Sequence, residues 1–209
     1  MSIPTNEALR AVNDPERVAA LHRTGLLGTD AEEAFDRMTR LAAKLLRVPA
    51  AFISLVDHER DFYVSAHGFG EPLATSRELT GRTFCHYAIE SDQPLVINDA
   101  RADPVYSLVP TVESLGVAAY VGVPLPGPEG HILGSFCAID TSPRAWTPDE
   151  VDILSELASS ARREIELRHR TRLAEEQTLR LRELASELTA QVAENRALAD
   201  ALREARTPA

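Results

Sequence analysis

All ten glycines of the chain lie before residue 149, and after Pro148 the only proline is Pro208. Glycine supplies left-handed turns and proline interrupts helices, so a chain that stops using both has stopped turning. The segment from residue 149 onward therefore predicts one long helix, roughly 85 Å if wholly helical at 1.5 Å per residue. Thr147-Pro148-Asp149-Glu150 is its start signal. Thr147 is read as N-cap, Pro148 as the first helical residue and Glu150 as the third-position partner of a capping box.

The part before this boundary follows a different grammar. Asp14-Pro15-Glu16 opens a short helix through about His22. Thr29 or Asp30 is expected to cap a longer one, in which Ala34, Phe35, Met38, Leu41, Ala42, Leu45 and Leu46 recur at helical spacing. Ala51–Val56, Asp61–Ala66, Leu95–Asn98, Ala118–Pro124 and Ile132–Ile139 read as strands. Asp57-His58-Glu59-Arg60 turns between the first two, and Gly127-Pro128-Glu129-Gly130 closes a hairpin between the last two. The stretches 81–91 and 103–116 predict short helices and loops over one sheet face. An antiparallel sheet with segregated helices is an α+β fold, not a doubly wound one.

Composition narrows the function classes. The length of 209 residues suits one globular domain with an appendage. A net charge of -10 argues against nucleic-acid binding, since phosphate contacts need clustered Lys and Arg. The charge is uneven: residues 149–209 hold 13 acidic and 10 basic side chains, so most of the excess lies in the front part. No run reaches the ~18 apolar residues of a membrane span. The N-terminus lacks the basic start and apolar core of a secretion signal, so a cytoplasmic location and no membrane partner are expected. Cys85 and Cys137 are too few for a disulfide framework and lack metal-ligand spacing, so no metal is expected. No Gly-x-Gly-x-x-Gly turn or P-loop is present.

Several blocks in fixed order carry a family resemblance. They are residues 20–27 (Ala-Leu-His-Arg-Thr-Gly-Leu-Leu), 34–42, 53–57 (Ile-Ser-Leu-Val-Asp), 83–89 (Thr-Phe-Cys-His-Tyr-Ala-Ile), 94–100, 120–125 and 133–140. Together they resemble bacterial GAF domains, sensory and signalling modules, over about residues 15–165. The resemblance implies a central antiparallel sheet flanked by helices, with a small-molecule pocket on one face. The organisation expected is an N-terminal extension (1–14), a GAF-like sensory domain (15–148) and a long helix (149–209).

The same resemblance places Phe84, Cys85 and His86 at the pocket rim, on a short helix whose amides can meet a ligand acceptor. Phe84 and Cys85 could equally pack under the sheet, because free cysteine is among the most buried residues. His86 could bond a ligand, ligate haem iron or satisfy itself against the backbone. Tyr106 resembles a lid residue, Tyr120 lies in the block of a pocket strand, and Asp99 could bind a ligand amine or cap the next turn. The cofactor stays unknown. A covalent bilin is not expected, because Val105–Ala119 lacks the attachment cysteine, and haem is not expected because no second haem feature matches. The Asn-Lys-Phe-Asp-Glu signature of cyclic-nucleotide members is absent.

From Leu181 a heptad register emerges: Leu181, Leu184, Leu188, Gln191, Asn195, Leu198, Leu202 and Ala205 alternate by three and four. That is a coiled-coil seam, strongest at 181–206, and Asn195 at an a position favours a parallel, in-register homodimer. The chain is thus expected to be a non-catalytic sensory module that binds a small molecule or partner and signals through a dimeric helix. Its output would be a separate signalling enzyme such as a kinase, phosphatase or cyclase. One alternative is a thiol redox sensor or GAF-fold methionine sulfoxide reductase using Cys85 and Cys137. Another is a purely structural dimerisation module with a filled pocket.

Overall fold

The computed structural model describes residues 9–205, with side chains for residues 9–199. The chain divides into two compact units, Met1–His169 and Arg170–Ala209.

The first unit is built on a six-stranded sheet of β1 (Ala50–Val56), β2 (Arg60–His67), β3 (Glu78–Thr80), β4 (Leu95–Ile97), β5 (Ala119–Pro126) and β6 (Ile132–Asp140). Their order is β3-β2-β1-β6-β5-β4, and every pair is antiparallel. The helices are α1 (Pro15–Thr24), α2 (Glu33–Leu46), α3 (Leu73–Ser76), α4 (Phe84–Ala88), α5 (Pro110–Ser114) and α6 (Pro148–Ala205), with a 3-10 turn at Tyr106–Leu108. This is the α+β architecture expected.

Period-two alternation sends β1 residues to opposite faces. Ala51, Ile53 and Leu55 join Phe35, Ala42 and Leu46 of α2, Leu21 of α1, and Leu154, Ala158, Ala161 and Ile165 of α6. Phe52 and Val56 point the other way, with Tyr63, Tyr120, Cys137 and Ile139 from the neighbouring strands. The short elements α3, α4 and α5 lie over this second face, contributing Leu73, Phe84, Cys85 and Ala88. Each buried large apolar side chain contributes about 1.5–3 kcal/mol, so neither layer is dispensable.

The helix ends follow their capping chemistry. Asp14 accepts the Glu16 N–H at 3.0 Å, and Gly25 closes α1 in the left-handed conformation at φ 69°. At the start of α6, Thr147 Oγ1 accepts the Glu150 N–H at 3.3 Å while Glu150 Oε2 accepts the Thr147 N–H at 2.9 Å.

Two expectations need correction. Neither Thr29 nor Asp30 caps α2, which begins at Glu33 with Glu32 at the N-cap and no side-chain cap. The Thr29 hydroxyl instead donates to the Leu26 carbonyl at 2.9 Å, and its own carbonyl accepts Arg77 Nη1 at 2.7 Å. Leu41 and Leu45 do not face the core, being 42% and 49% exposed; Thr39 and Ala43 take buried positions instead. The Thr39 hydroxyl is tolerated because it meets Ser65 Oγ at 2.8 Å. The short α3 and the edge strand β3 have no counterpart among the predicted elements, because four and three residues carry too little periodicity to register.

Arg17 is a buried device that periodicity does not reveal. It donates to the carbonyls of Ala11 (2.5 Å), Val56 (2.7 Å) and Val12 (3.3 Å), tying the segment before α1 to the end of β1. Burial pulls its pKa down, opposed by Asp57 first among its acidic neighbours.

The second unit is helical to Ala205. Its described side chains from Arg170 to Ala199 are all exposed. No helix among the described residues is long and apolar enough to cross a membrane.

Candidate functional site

The face of the sheet under α4 and α5 holds most of the pocket residues expected from the sequence. Thr83 is the N-cap of α4: its hydroxyl accepts the Cys85 N–H at 3.1 Å, while His86 Nδ1 accepts the Thr83 N–H at 3.2 Å. This reciprocal cap fixes the ring of His86 and turns Phe84 and Cys85 onto the sheet. The Phe84 ring stacks on Tyr120 at 5.0 Å, with Tyr106 behind it at 6.1 Å and Tyr87 edge-on to Tyr106 at 5.3 Å. Phe52 and Tyr63 form a second aromatic pair at 4.9 Å.

Between the two aromatic groups lies a small cavity of about 10 Å³, lined by Phe52, Tyr63, Thr83, Phe84, Thr111 and Tyr120 among others. That is room for about one water molecule. In this conformation the pocket is occupied by the protein's own aromatic side chains. Gly122 makes part of this arrangement possible, since a Cβ there would collide with the Tyr120 hydroxyl.

Beneath the aromatics sits a buried polar group of residues. Cys85 Sγ and Cys137 Sγ are 3.9 Å apart, and Cys137 Sγ lies 3.1 Å from the Tyr120 hydroxyl and 3.0 Å from Ser135 Oγ. The Thr83 hydroxyl donates to Asp61 Oδ2. Asp61 Oδ1 is 3.8 Å from His86 Nδ1, but this is not an ion pair: the nitrogen lone pair already accepts the Thr83 N–H. Asp61 Oδ1 and the cavity-lining Thr111 Oγ1 are buried without a hydrogen-bond partner among the described residues.

Burial governs the electrostatics here. It pushes the Asp61 carboxyl well above the usual carboxylate range, with Cys85 adding to it. It pushes the Cys85 thiol, the Tyr63 phenol and the Tyr120 phenol up as well. It pulls His86 down, with Asp61 partly opposing. Every one of these shifts favours the neutral form. A neutral, inaccessible thiol is the reverse of what a nucleophilic or sensing cysteine requires.

Five of the six expected ligand residues are therefore brought together: Phe84 and Tyr120 line the cavity, Tyr106 backs them, and Cys85 and His86 lie behind. Asp99 stands apart, its carboxylate accepting the Arg101 N–H at 3.1 Å after the end of β4. Phe52, Asp61, Tyr63 and Thr83 were not anticipated. The available signal was an acid at Asp61 that shares a strand face with Tyr63 two residues on.

On the helix, Leu181, Leu184, Leu188, Asn195 and Leu198 are all exposed, Leu181 by 67%. Leu202 lies outside the residues whose side chains are described.

The front unit is joined to α6 by a second polar cluster. Trp146 donates through Nε1 to the Ile97 carbonyl at 3.2 Å and through its backbone N–H to Asn98 Oδ1 at 3.1 Å. Arg144 pairs with Asp140 at 3.2 Å and with Glu150 on α6, and lies 4.4 Å over the Trp146 ring. The end of β4, at the edge of the pocket face, is thereby bonded to the residues that start α6.

Comparison with known proteins agrees with this architecture. A cyclic di-GMP phosphodiesterase of Pseudomonas aeruginosa is 32% identical over 133 residues, which is 63% of this chain and 22% of that enzyme. The chain thus spans about a fifth of that relative's length. The blue-light-absorbing PixJ GAF domain of Thermosynechococcus elongatus superposes with a TM-score of 0.57 at 18% identity, covering 82% of this chain and 98% of that one. The GAF domain of an Acinetobacter phosphoenolpyruvate-protein phosphotransferase gives a TM-score of 0.53 at 14% identity, covering 73% and 93%. At such identities the likeness is one of fold. The family model for the GAF domain matches residues 30–165, and with the sheet, its two unlike faces and the helix that follows, the chain belongs to the GAF domain family of signalling modules.

Proposed function

We propose that this module is non-catalytic and passes the state of its pocket face to a pair of C-terminal helices. The observation that carries the reading is the bonded joint between β4 and α6. A ligand that displaces Phe84 or Tyr106 acts on the covering elements of the same face. Any shift of β4 then reaches the start of α6 through Ile97, Asn98 and Trp146. A ligand can bias the helices only by as much as it prefers one state over the other.

The exposed leucines of the second unit support a homodimer along the 181–206 seam, with Asn195 setting a parallel register. The unpartnered Thr111 Oγ1, which lines the cavity, suits a small molecule carrying a hydrogen-bonding group. The likeness to part of a cyclic di-GMP phosphodiesterase supports an output on a signalling enzyme, a kinase, phosphatase or cyclase acting on or beside this module.

One observation favours a second reading, a structural dimerisation module whose pocket is permanently filled. It is the cavity volume of about 10 Å³. Native mass spectrometry of the purified chain separates the two. The sensory reading expects twice the chain mass and a retained small molecule that Phe84→Ala releases. Dimers that never retain a small molecule support the filled-pocket reading. A monomer at tens of micromolar overturns the helix pair in both.

A further inference from the structure

At the end of β1, a side chain of α1 converges with two neighbouring side chains of the β1–β2 turn. His22 lies in the last turn of α1, Asp57 follows β1, and His58 lies in the turn before β2. The two imidazoles aim nitrogens at the same carboxylate oxygen: His22 Nε2 is 3.2 Å and His58 Nδ1 is 2.8 Å from Asp57 Oδ1. One ligand atom from each of the three lies within 4.8 Å of the others.

We propose that His22, Asp57 and His58 bind a borderline divalent cation, with Zn²⁺ the best match. Two imidazoles and a carboxylate are a common zinc donor set. With bonds of about 2.0–2.1 Å, the edge of a zinc tetrahedron is about 3.4 Å. The two measured nitrogen–oxygen separations are close to that edge, so the ion needs shifts of tenths of an ångström there and a modest closing of the two rings. The Asp57 side chain is 7% exposed and both imidazoles are 54% exposed, an anchored carboxylate under two reachable ligands. Solvent would fill the remaining position.

The surroundings match a metal site as well. The outer nitrogen of His58, Nε2, faces Glu59 Oε1 at 3.6 Å. A carboxylate behind a ligating histidine orients the ring and raises its basicity. The Asp57 carboxylate is further held by the His58 N–H at 2.8 Å. The buried Arg17 guanidinium is the opposing influence, since it shares the neighbourhood of Asp57 and repels a second cation. Its charge is already engaged by three carbonyls, and it weakens the site without blocking it. The bound ion would staple α1 to the β1–β2 turn, on the same end of β1 that Arg17 secures.

The test uses the full chain without a histidine tag, freed of metal with a chelator and titrated with ZnCl₂ by calorimetry. The expected result is one ion per chain at micromolar affinity, with a rise in melting temperature on loading. His22→Ala and His58→Ala should each weaken binding at least tenfold, and the double variant should abolish it. Both positions are on the surface, so circular dichroism should show an unchanged fold. His67→Ala, at an exposed histidine elsewhere, should bind as the parent does. No saturable binding below about 100 µM overturns the proposal, as does undiminished binding by the double variant.

Discussion

The two faces of the sheet use the same strands to opposite ends. The face under α1, α2 and α6 is a large apolar layer: Leu21, Phe35, Leu46, Ile53, Leu154 and Ile165 are closed against one another. The face under α4 and α5 buries Asp61, His86, two cysteines and several tyrosines beside a residual cavity. Buried polar groups cost free energy unless they are fully paired, and Asp61 Oδ1 and Thr111 Oγ1 are not. One face is organised for cohesion, while the other keeps an energetic deficit that a partner with hydrogen-bonding groups could relieve.

The contrast can be tested from its stronger side first. Phe35→Ala, at a fully buried ring of the apolar face, should cost about 3–5 kcal/mol in urea unfolding. A cost below 1 kcal/mol would mean that this face is not the cohesive one.

Asp61→Asn on the opposite face should do the reverse and stabilise by about 1–2 kcal/mol at pH 8, because it replaces a carboxyl whose ionisation burial opposes, and which has an unpaired oxygen, by a neutral amide. The sign follows from linkage. Asp61 titrates higher in the folded than in the unfolded protein, so the folded state binds more protons between the two values. Stability in the parent therefore falls as pH rises from the unfolded carboxylate range toward the raised folded value. The Asn variant should lose that slope, and an unchanged slope would assign it elsewhere.

The smallest effect is expected for Tyr120→Phe, which deletes a hydroxyl whose nearest sulfur contact is Cys137 at 3.1 Å. About 0.5–1 kcal/mol is expected from thermal melts, as for a modest hydrogen bond. A loss above 2 kcal/mol would give the tyrosine–cysteine group a larger share in holding that face together.

How much of this was legible in the sequence depends on the length scale of the signal. Strands β1, β2, β5 and β6 and the start of α6 were readable because alternation and a capping box are local patterns. Phe84 and Tyr120 were readable through the ordered GAF blocks. Asp61 was not, because an acid at the first position of a strand carries no sign of burial until Thr83, 22 residues on, is seen to reach it. Leu41 and Leu45 misled for the opposite reason. Apolar spacing specifies a stripe on α2, and packing against β1 and β2 chose the part of it bearing Ala42, Ala43 and Leu46. The His22–Asp57–His58 group is invisible to spacing rules, since 35 residues separate its first two members.

The joint at Trp146 has a practical consequence. It is the only tryptophan in the chain, so the protein's intrinsic fluorescence reports from one place. That place is largely shielded from solvent, with a guanidinium over the indole ring and the indole N–H held by β4. Emission wavelength and quenching therefore read the bond between sheet and helix directly. Compounds can be screened on the unlabelled protein, with a spectral change marking those that disturb this joint.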